Sequence, residues 1–172
     1  REKLLFEDSE YHNAVFVGYD EKGIARHAHK KSTATGSAFR INVEGSHPAY
    51  SFHYISKNPN PHNLFVFEAP IDLLSYISLH PQNWKQHSYV ALNGMSEQPV
   101  LKLLELYPQL QRVALCLDND EAGHKAASRI HKTLRQQGFE AVVYDVSAHK
   151  DWNEDLKESY SQKQTAPTMV MR

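Results

Sequence analysis

The chain has a single cysteine, Cys116, inside the apolar run VALCL. An internal disulfide and a Cys-x-x-Cys zinc motif are therefore both excluded, and the default expectation is a reducing, cytoplasmic setting. No apolar run approaches the roughly 18 residues of a membrane span, and the N-terminus carries no signal-peptide pattern, so no membrane partner is expected. There is no internal repeat and no excess of charge. Across 172 residues the formal net charge is -1, with 23% charged and 41% hydrophobic side chains. That balance excludes a strongly basic coat but leaves room for a local basic face. A chain of this length suits one domain, or one domain with an appendage. It begins REKLLFEDSEYHN, without methionine, which suggests excision from a longer parent.

What is present changes character along the chain. NAVFVGYD and GIARHAH flank EKG as a hairpin, and AFRINVEG and AYSFHYI read as further strands. SKNPNPHN, Ser56 to Asn63, crowds two prolines and three asparagines into eight residues and marks a boundary. The expected division is a β-rich subdomain over 1–60 and a core over 61–172. Beyond the boundary, strands and helices alternate. LFVFE precedes the helix PIDLLSYISLH, with Pro70 in its first turn, and SYVAL precedes SEQPVLKLLELYP. RVALCLD precedes EAGHKAASRIHKTLRQQG, and EAVVYDV precedes KDWNEDLKESYSQ. These strands are continuous apolar runs, as expected when both faces of a sheet are covered. The fold class that follows is α/β, with a four-stranded, mainly parallel, Rossmann-like sheet flanked by helices and preceded by a small antiparallel sheet.

In such a sheet the strand ends share one edge. Glu68 ends the first strand, with Asp72 one helical turn later. The second ends in Leu92-Asn93-Gly94, the third in Asp118 and Asp120, and the fourth near Asp145, followed by Asp151, Glu154 and Asp155. Glu68, Asp118 and Asp120 are thus expected close together, where they would raise one another's pKa unless a hard divalent cation joins them. In an extended segment Asp118 and Asp120 point the same way, while Glu121 serves the following helix N-terminus. Taken singly, Asp-Asn-Asp is more often a helix cap than a metal site; its position relative to Glu68 is what favours the metal.

A glutamate ending one such strand and Asp-x-Asp ending another two units later resembles the Toprim domain of bacterial primases, topoisomerases and certain nucleases. The likeness covers about residues 64 to 157 and is nearest the primase-like branch, through VFEAPIDLLSY, ALNGMS, CLDNDEAGHKAA and KDWNEDL. Upstream, VEGSHPAYSF resembles the segment that precedes Toprim domains in primase-like proteins of mobile elements. The resemblance implies Mg²⁺ or Mn²⁺ as cofactor, with Glu68 as general acid/base or metal carboxylate. Asp118 and Asp120 would be metal ligands, supported by Asp72 and Asp151. It implies nucleotidyl transfer on a DNA or RNA template during replication or mobile-element transfer, with nucleotides and further domains of a parent chain as partners. A Toprim nuclease and a non-catalytic metal- and nucleic-acid-binding module are the alternatives. Ala69-Pro70 after the glutamate departs from replicative primases.

In the helix after Asp120, Ala122, Ala126, Ile130, Thr133 and Leu134 form the expected packing face. Lys125, Arg129 and Lys132 lie opposite, as a solvated face or as phosphate contacts that Lys150 would join. Tyr50, Phe52 and Tyr54 alternate as core or as a base-stacking platform. His27 and His29 lack a third ligand for zinc.

Overall fold

The computed structural model describes residues 3–94, 96–139 and 141–165. Strands β1 (Leu5–Glu7), β2 (Ala14–Tyr19), β3 (Ala25–Lys31) and β4 (Arg40–Asn42) form an antiparallel sheet in that order. The β2–β3 hairpin is organised by Asp20, whose carboxylate accepts the Lys22 and Ile24 N–H groups and the Arg26 Nε. Gly18 on β2 is required for space. A Cβ there would fall 1.6 Å from the Tyr50 carbonyl oxygen, so only glycine lets this strand lie against the Tyr50–Ser51 backbone.

The strand expected over residues 49–55 is mostly something else. His47 Nδ1 accepts the Ala49 N–H, and Pro48 starts a short 3₁₀ turn, Pro48–Tyr50. Only β5 (His53–Tyr54) is extended, and it pairs antiparallel with a strand of the second sheet. That sheet therefore has five strands where the sequence suggested four. Phe52 is buried edge-on against Phe16, with centroids 5.2 Å apart, and Tyr54 packs on Trp84. Phe52 and Tyr54 thus belong to the core, whereas Tyr50 is half-buried in the 3₁₀ turn against His47.

The second sheet continues through β6 (His62–Phe67), α1 (Pro70–Leu79), β7 (Ser88–Ala91), α2 (Gln98–Leu106), β8 (Leu110–Leu115), α3 (Glu121–Gln136), β9 (Val142–Tyr144) and α4 (Trp152–Thr165). Its order is β5-β7-β6-β8-β9, with the last four strands parallel. The expected fourth strand over 140–146 shortens to β9, and Glu140, like Met95 of the ALNGMS motif, lies outside the described residues. Alternate side chains serve opposite faces. Leu64, Val66, Val113 and Leu115 pack under α2 and α3 with Val100, Leu103, Ile130 and Leu134. On the other face Phe67, Ala114 and Cys116 meet Leu73, Tyr76 and Trp152 of α1 and α4, together with Phe16 and Phe52. Each fully buried Leu, Ile or Phe contributes roughly 1.5–3 kcal/mol, so the strand runs had to be apolar on both faces.

The buried face of α3 differs from the expected one. Gly123, Ala126, Ala127, Ile130 and Leu134 are buried, whereas Ala122 is exposed and Thr133 only half-buried. The helix is rotated so that Gly123 faces inward.

Candidate functional site

The chain leaves β6 through α1 to β7, then crosses back through α2 to β8. The strand order therefore reverses between β6 and β8, where open α/β sheets form a crevice at their carboxyl ends. Glu68 follows β6 by one residue, and Asp118 follows β8 by three. The adjoining backbones are tied together. Cys116 N–H donates to the Val66 carbonyl, Asn93 N–H to that of Glu68 at 3.0 Å, and Asn119 N–H to that of Lys150 at 2.7 Å.

The acids at this edge act on one another. Burial foremost, then the Asp120 carboxylate, raises the Glu68 pKa above its ordinary value, against opposing pulls from Arg40 and Lys150. Burial and then the charges of Glu68, Asp72, Asp151 and Asp120 lift Asp118 to about 7. Asp72, on the first turn of α1 and 5% exposed, is likewise pushed to about 7, by burial and then by Asp151. Its carboxylate accepts the Asn153 N–H at 3.3 Å. Asp120 caps α3 by accepting the Gly123 N–H at 2.9 Å, and Asp151 accepts the Glu154 N–H at 2.8 Å. Asp118 Oδ1 is different: it is buried with no hydrogen-bond donor.

All five acids that the sequence singled out thus belong to one electrostatic cluster. Among the described residues, no three His, Cys, Asp or Glu side chains are drawn together tightly enough to enclose a metal ion unaided. The donor set is nevertheless what Mg²⁺ takes, since that ion binds one or two carboxylates and keeps several waters. The unpartnered Asp118 oxygen and the upward shifts of three acids are the features that a hard cation relieves.

This electrostatic strain has a measurable signature. An acid whose folded pKa exceeds its unfolded value costs the fold nothing below about 3.8, and destabilises it progressively as pH rises through about 7. Discounted for the solvent reaching half-buried Asp118, Asp72 and Asp118 together should cost about 2 kcal/mol by pH 8. In EDTA the unfolding midpoint is expected to fall by about 2–5 °C between pH 5 and pH 8, the rest of the loss lying between about pH 3.8 and pH 5. Millimolar Mg²⁺ or Mn²⁺ should restore most of that at pH 8 and little at pH 5. Differential scanning fluorimetry across the pH range checks this, and a flat metal-free profile would contradict it.

The positive charges acting on the cluster come from Lys150, from Arg40 on β4, and from Lys31 on β3, which lowers the Asp72 pKa. Of the helix residues nominated for nucleic acid, Lys125 is paired with Glu121 at 2.5 Å and Arg129 with Glu97 at 3.4 Å, while Lys132 is exposed. Arg40 was missed by sequence reading because only the docking of the small sheet brings it to Glu68. A cleft of about 250 Å³ lies at that junction, lined by Arg40, His29 and Asn42 on one side and by Glu68, Asn93 and Gly94 on the other. Trp152 is a packing residue. It is 5% exposed, and its indole N–H donates to the Cys116 carbonyl.

Comparison with known proteins adds three findings. Residues 65–156 match the model of a family described as Toprim-like, and residues 1–58 match one described as a protein of unknown function (DUF3991). An uncharacterised protein of Bacillus anthracis is 27% identical over 94% of this chain and 52% of its own length, and a DNA primase of Mycoplasma pneumoniae is 31% identical over 61% of this chain and 16% of its own. The primase fragment of the bacteriophage T7 primase-helicase protein superposes with a TM-score of 0.66 at 17% identity, covering 93% of this chain and 64% of that one. The chain thus spans about half the length of the B. anthracis relative and a sixth of the primase.

Proposed function

Because this chain belongs to the Toprim-like family, and its fold is that of primase cores, we propose that its acidic edge holds Mg²⁺ and performs template-directed nucleotidyl transfer. The observation that carries the reading is the unpartnered, buried Asp118 oxygen inside a cluster of acids with raised pKa values. Asp118 and Asp120 would hold the metal, with Asp72 and Asp151 behind them, and Glu68 faces them across the switch point. When bound, Mg²⁺ supplies charge stabilisation to a polyphosphate and to the departing pyrophosphate. Glu68 takes the proton of the attacking 3′-hydroxyl as the new bond to the α-phosphorus forms. Its raised pKa suits that task, because a base titrating nearer neutrality accepts a proton more readily. Arg40 and Lys150, already acting on Glu68, meet the phosphate charge. Lys31 and Lys132 are the further cations offered to a template backbone. Lys125 and Arg129 reach it only by leaving Glu121 and Glu97.

The test is incubation of the full-length parent protein with labelled single-stranded template, nucleotides and Mg²⁺ or Mn²⁺. Extended products are expected, and Glu68→Gln should lower their rate by about 100-fold or more, the scale of a lost general base. Shortened template would assign the same acids to phosphodiester hydrolysis, and template binding without either product would make the edge a binding module.

A further inference from the structure

The small sheet reaches the acidic edge through a continuous run of hydrogen bonds. His29 on β3 and Asn42 on β4 are directly opposed in register, and His29 Nδ1 meets Asn42 Oδ1 at 2.7 Å. The other end of the same amide, Asn42 Nδ2, donates to the carbonyl of Asn93 at 3.2 Å. Asn93 stands just after β7 with φ of 51°, a left-handed conformation that asparagine tolerates better than most residues. Its own N–H donates to the carbonyl of Glu68 at 3.0 Å. A second strut runs beside the first: the Asn93 amide lies 3.3 Å from Nε2 of His27, which is 5% exposed.

We infer that Asn42 and Asn93 are positioning residues, a bridge by which the small sheet fixes the backbone of Glu68 against the aspartates of the opposite strand. The inference rests on the reading of Glu68 as a reacting group. Three further observations support it. The bridge is neutral, since burial lowers the pKa of both His27 and His29 and keeps them uncharged near pH 7. Charge-neutral amides and imidazoles can therefore hold Glu68 without competing for its carboxylate, which Arg40 and Lys150 already face. Asn42 is exposed and sits on a three-residue edge strand, so core packing gives no reason for an asparagine there. Both ends of its amide are nonetheless used, and they join elements 51 residues apart in sequence. Finally, the left-handed Asn93 is held from both sides, as a strained residue must be if it is to keep its place.

The experiment compares the full-length parent, Asn42→Ala, Asn42→Asp and Glu68→Gln in the primer-extension assay, with amide hydrogen exchange measured on the same proteins. Asn42→Asp keeps the acceptor for His29 and loses the donor to Asn93. Both Asn42 variants should lower kcat about tenfold with the nucleotide KM within twofold of the parent. They should also speed exchange of the Asn93 N–H about tenfold, while β6 and β8 stay protected. In a Glu68→Gln background, Asn42→Ala should cause no further loss. Parent kcat in Asn42→Ala beside an inactive Glu68→Gln would overturn the bridge alone, and a fully active Glu68→Gln would overturn the catalytic reading and the bridge with it. The exchange measurement needs no turnover, and unchanged exchange at Asn93 in Asn42→Ala also overturns the bridge.

Discussion

Asp118→Asn should make the metal-free protein more stable at pH 8 and, on the proposed reading, about 10³-fold slower in nucleotide incorporation. The two effects have one origin. Asp118 carries an oxygen with no donor and is repelled by Glu68, Asp72, Asp151 and Asp120. Asparagine has nearly the same shape and no charge. Its substitution removes the burial penalty on the ionised form and relieves the acids that Asp118 repels. A gain of about 1–2 kcal/mol at pH 8 is expected, about 2–6 °C in the unfolding midpoint. At pH 5 the gain should shrink to roughly a third, and it should vanish only below about 3.8, where the unfolded chain is protonated too. The same substitution takes a negative charge from the donor set, so the Mg²⁺-induced rise in the midpoint should shrink or disappear. Fluorimetry in EDTA and in Mg²⁺, paired with the incorporation assay, reads both halves. A metal-free variant less stable than the parent at pH 8 would mean that Asp118 is held by the fold rather than strained within it. Stability spent on unneutralised charge is what a binding site shows and a structural ion pair does not.

What could be read from the sequence depended on how far each feature reaches along the chain. Three of the four parallel strands were legible because a strand covered on both faces must be largely apolar, as LFVFE, SYVAL and RVALCLD are; β9 is the exception, with Val143 and Tyr144 exposed. The meeting of Glu68 with Asp118 was legible too, because chain order and crossover rules alone place strand ends on a common edge. The short-range reading failed where a partner elsewhere overrides local preference. Residues 49–55 alternate like a strand, yet Pro48 and the His47 cap wind the first of them, and pairing with β7 takes two of the rest into the other sheet. The buried face of α3 was misjudged by one step because the helix's phase is set at Gly123, against a backbone group five residues earlier, rather than by its apolar stripe. Arg40 and Asn42 carried no signal at all, Asn93 only its place at the end of the second strand, and His29 only that of half an incomplete zinc pair. Their grouping exists only once the antiparallel sheet docks on the end of β6.

Gly123→Ala should be the most damaging small substitution near the site, although alanine is the better helix former. A Cβ at residue 123 would stand 2.0 Å from the carbonyl oxygen of Asp118 and 2.9 Å from its carbonyl carbon. Both are backbone atoms at the end of a buried strand, so neither can swing away as a side-chain tip would. Alanine gains about 1 kcal/mol in helix propensity, while overpacking against an unyielding neighbour costs about 3 kcal/mol. A net loss of about 2 kcal/mol is expected, about 4–8 °C in the unfolding midpoint. The clash is relieved only by lifting the first turn of α3 or turning the Asp118 peptide. Either movement breaks the Gly123 N–H bond to Asp120 and carries Asp118 and Asp120 apart. The variant should therefore lose its Mg²⁺-dependent stabilisation as well as stability itself. Gly138→Ala is the control. Gly138 follows the end of α3 with φ of 80° and nothing within 4 Å of its missing Cβ, so alanine there meets only the left-handed penalty of about 1–2 kcal/mol. That control should keep the full Mg²⁺ response, and equal responses from the two variants would show that Gly123 shapes the helix without shaping the site.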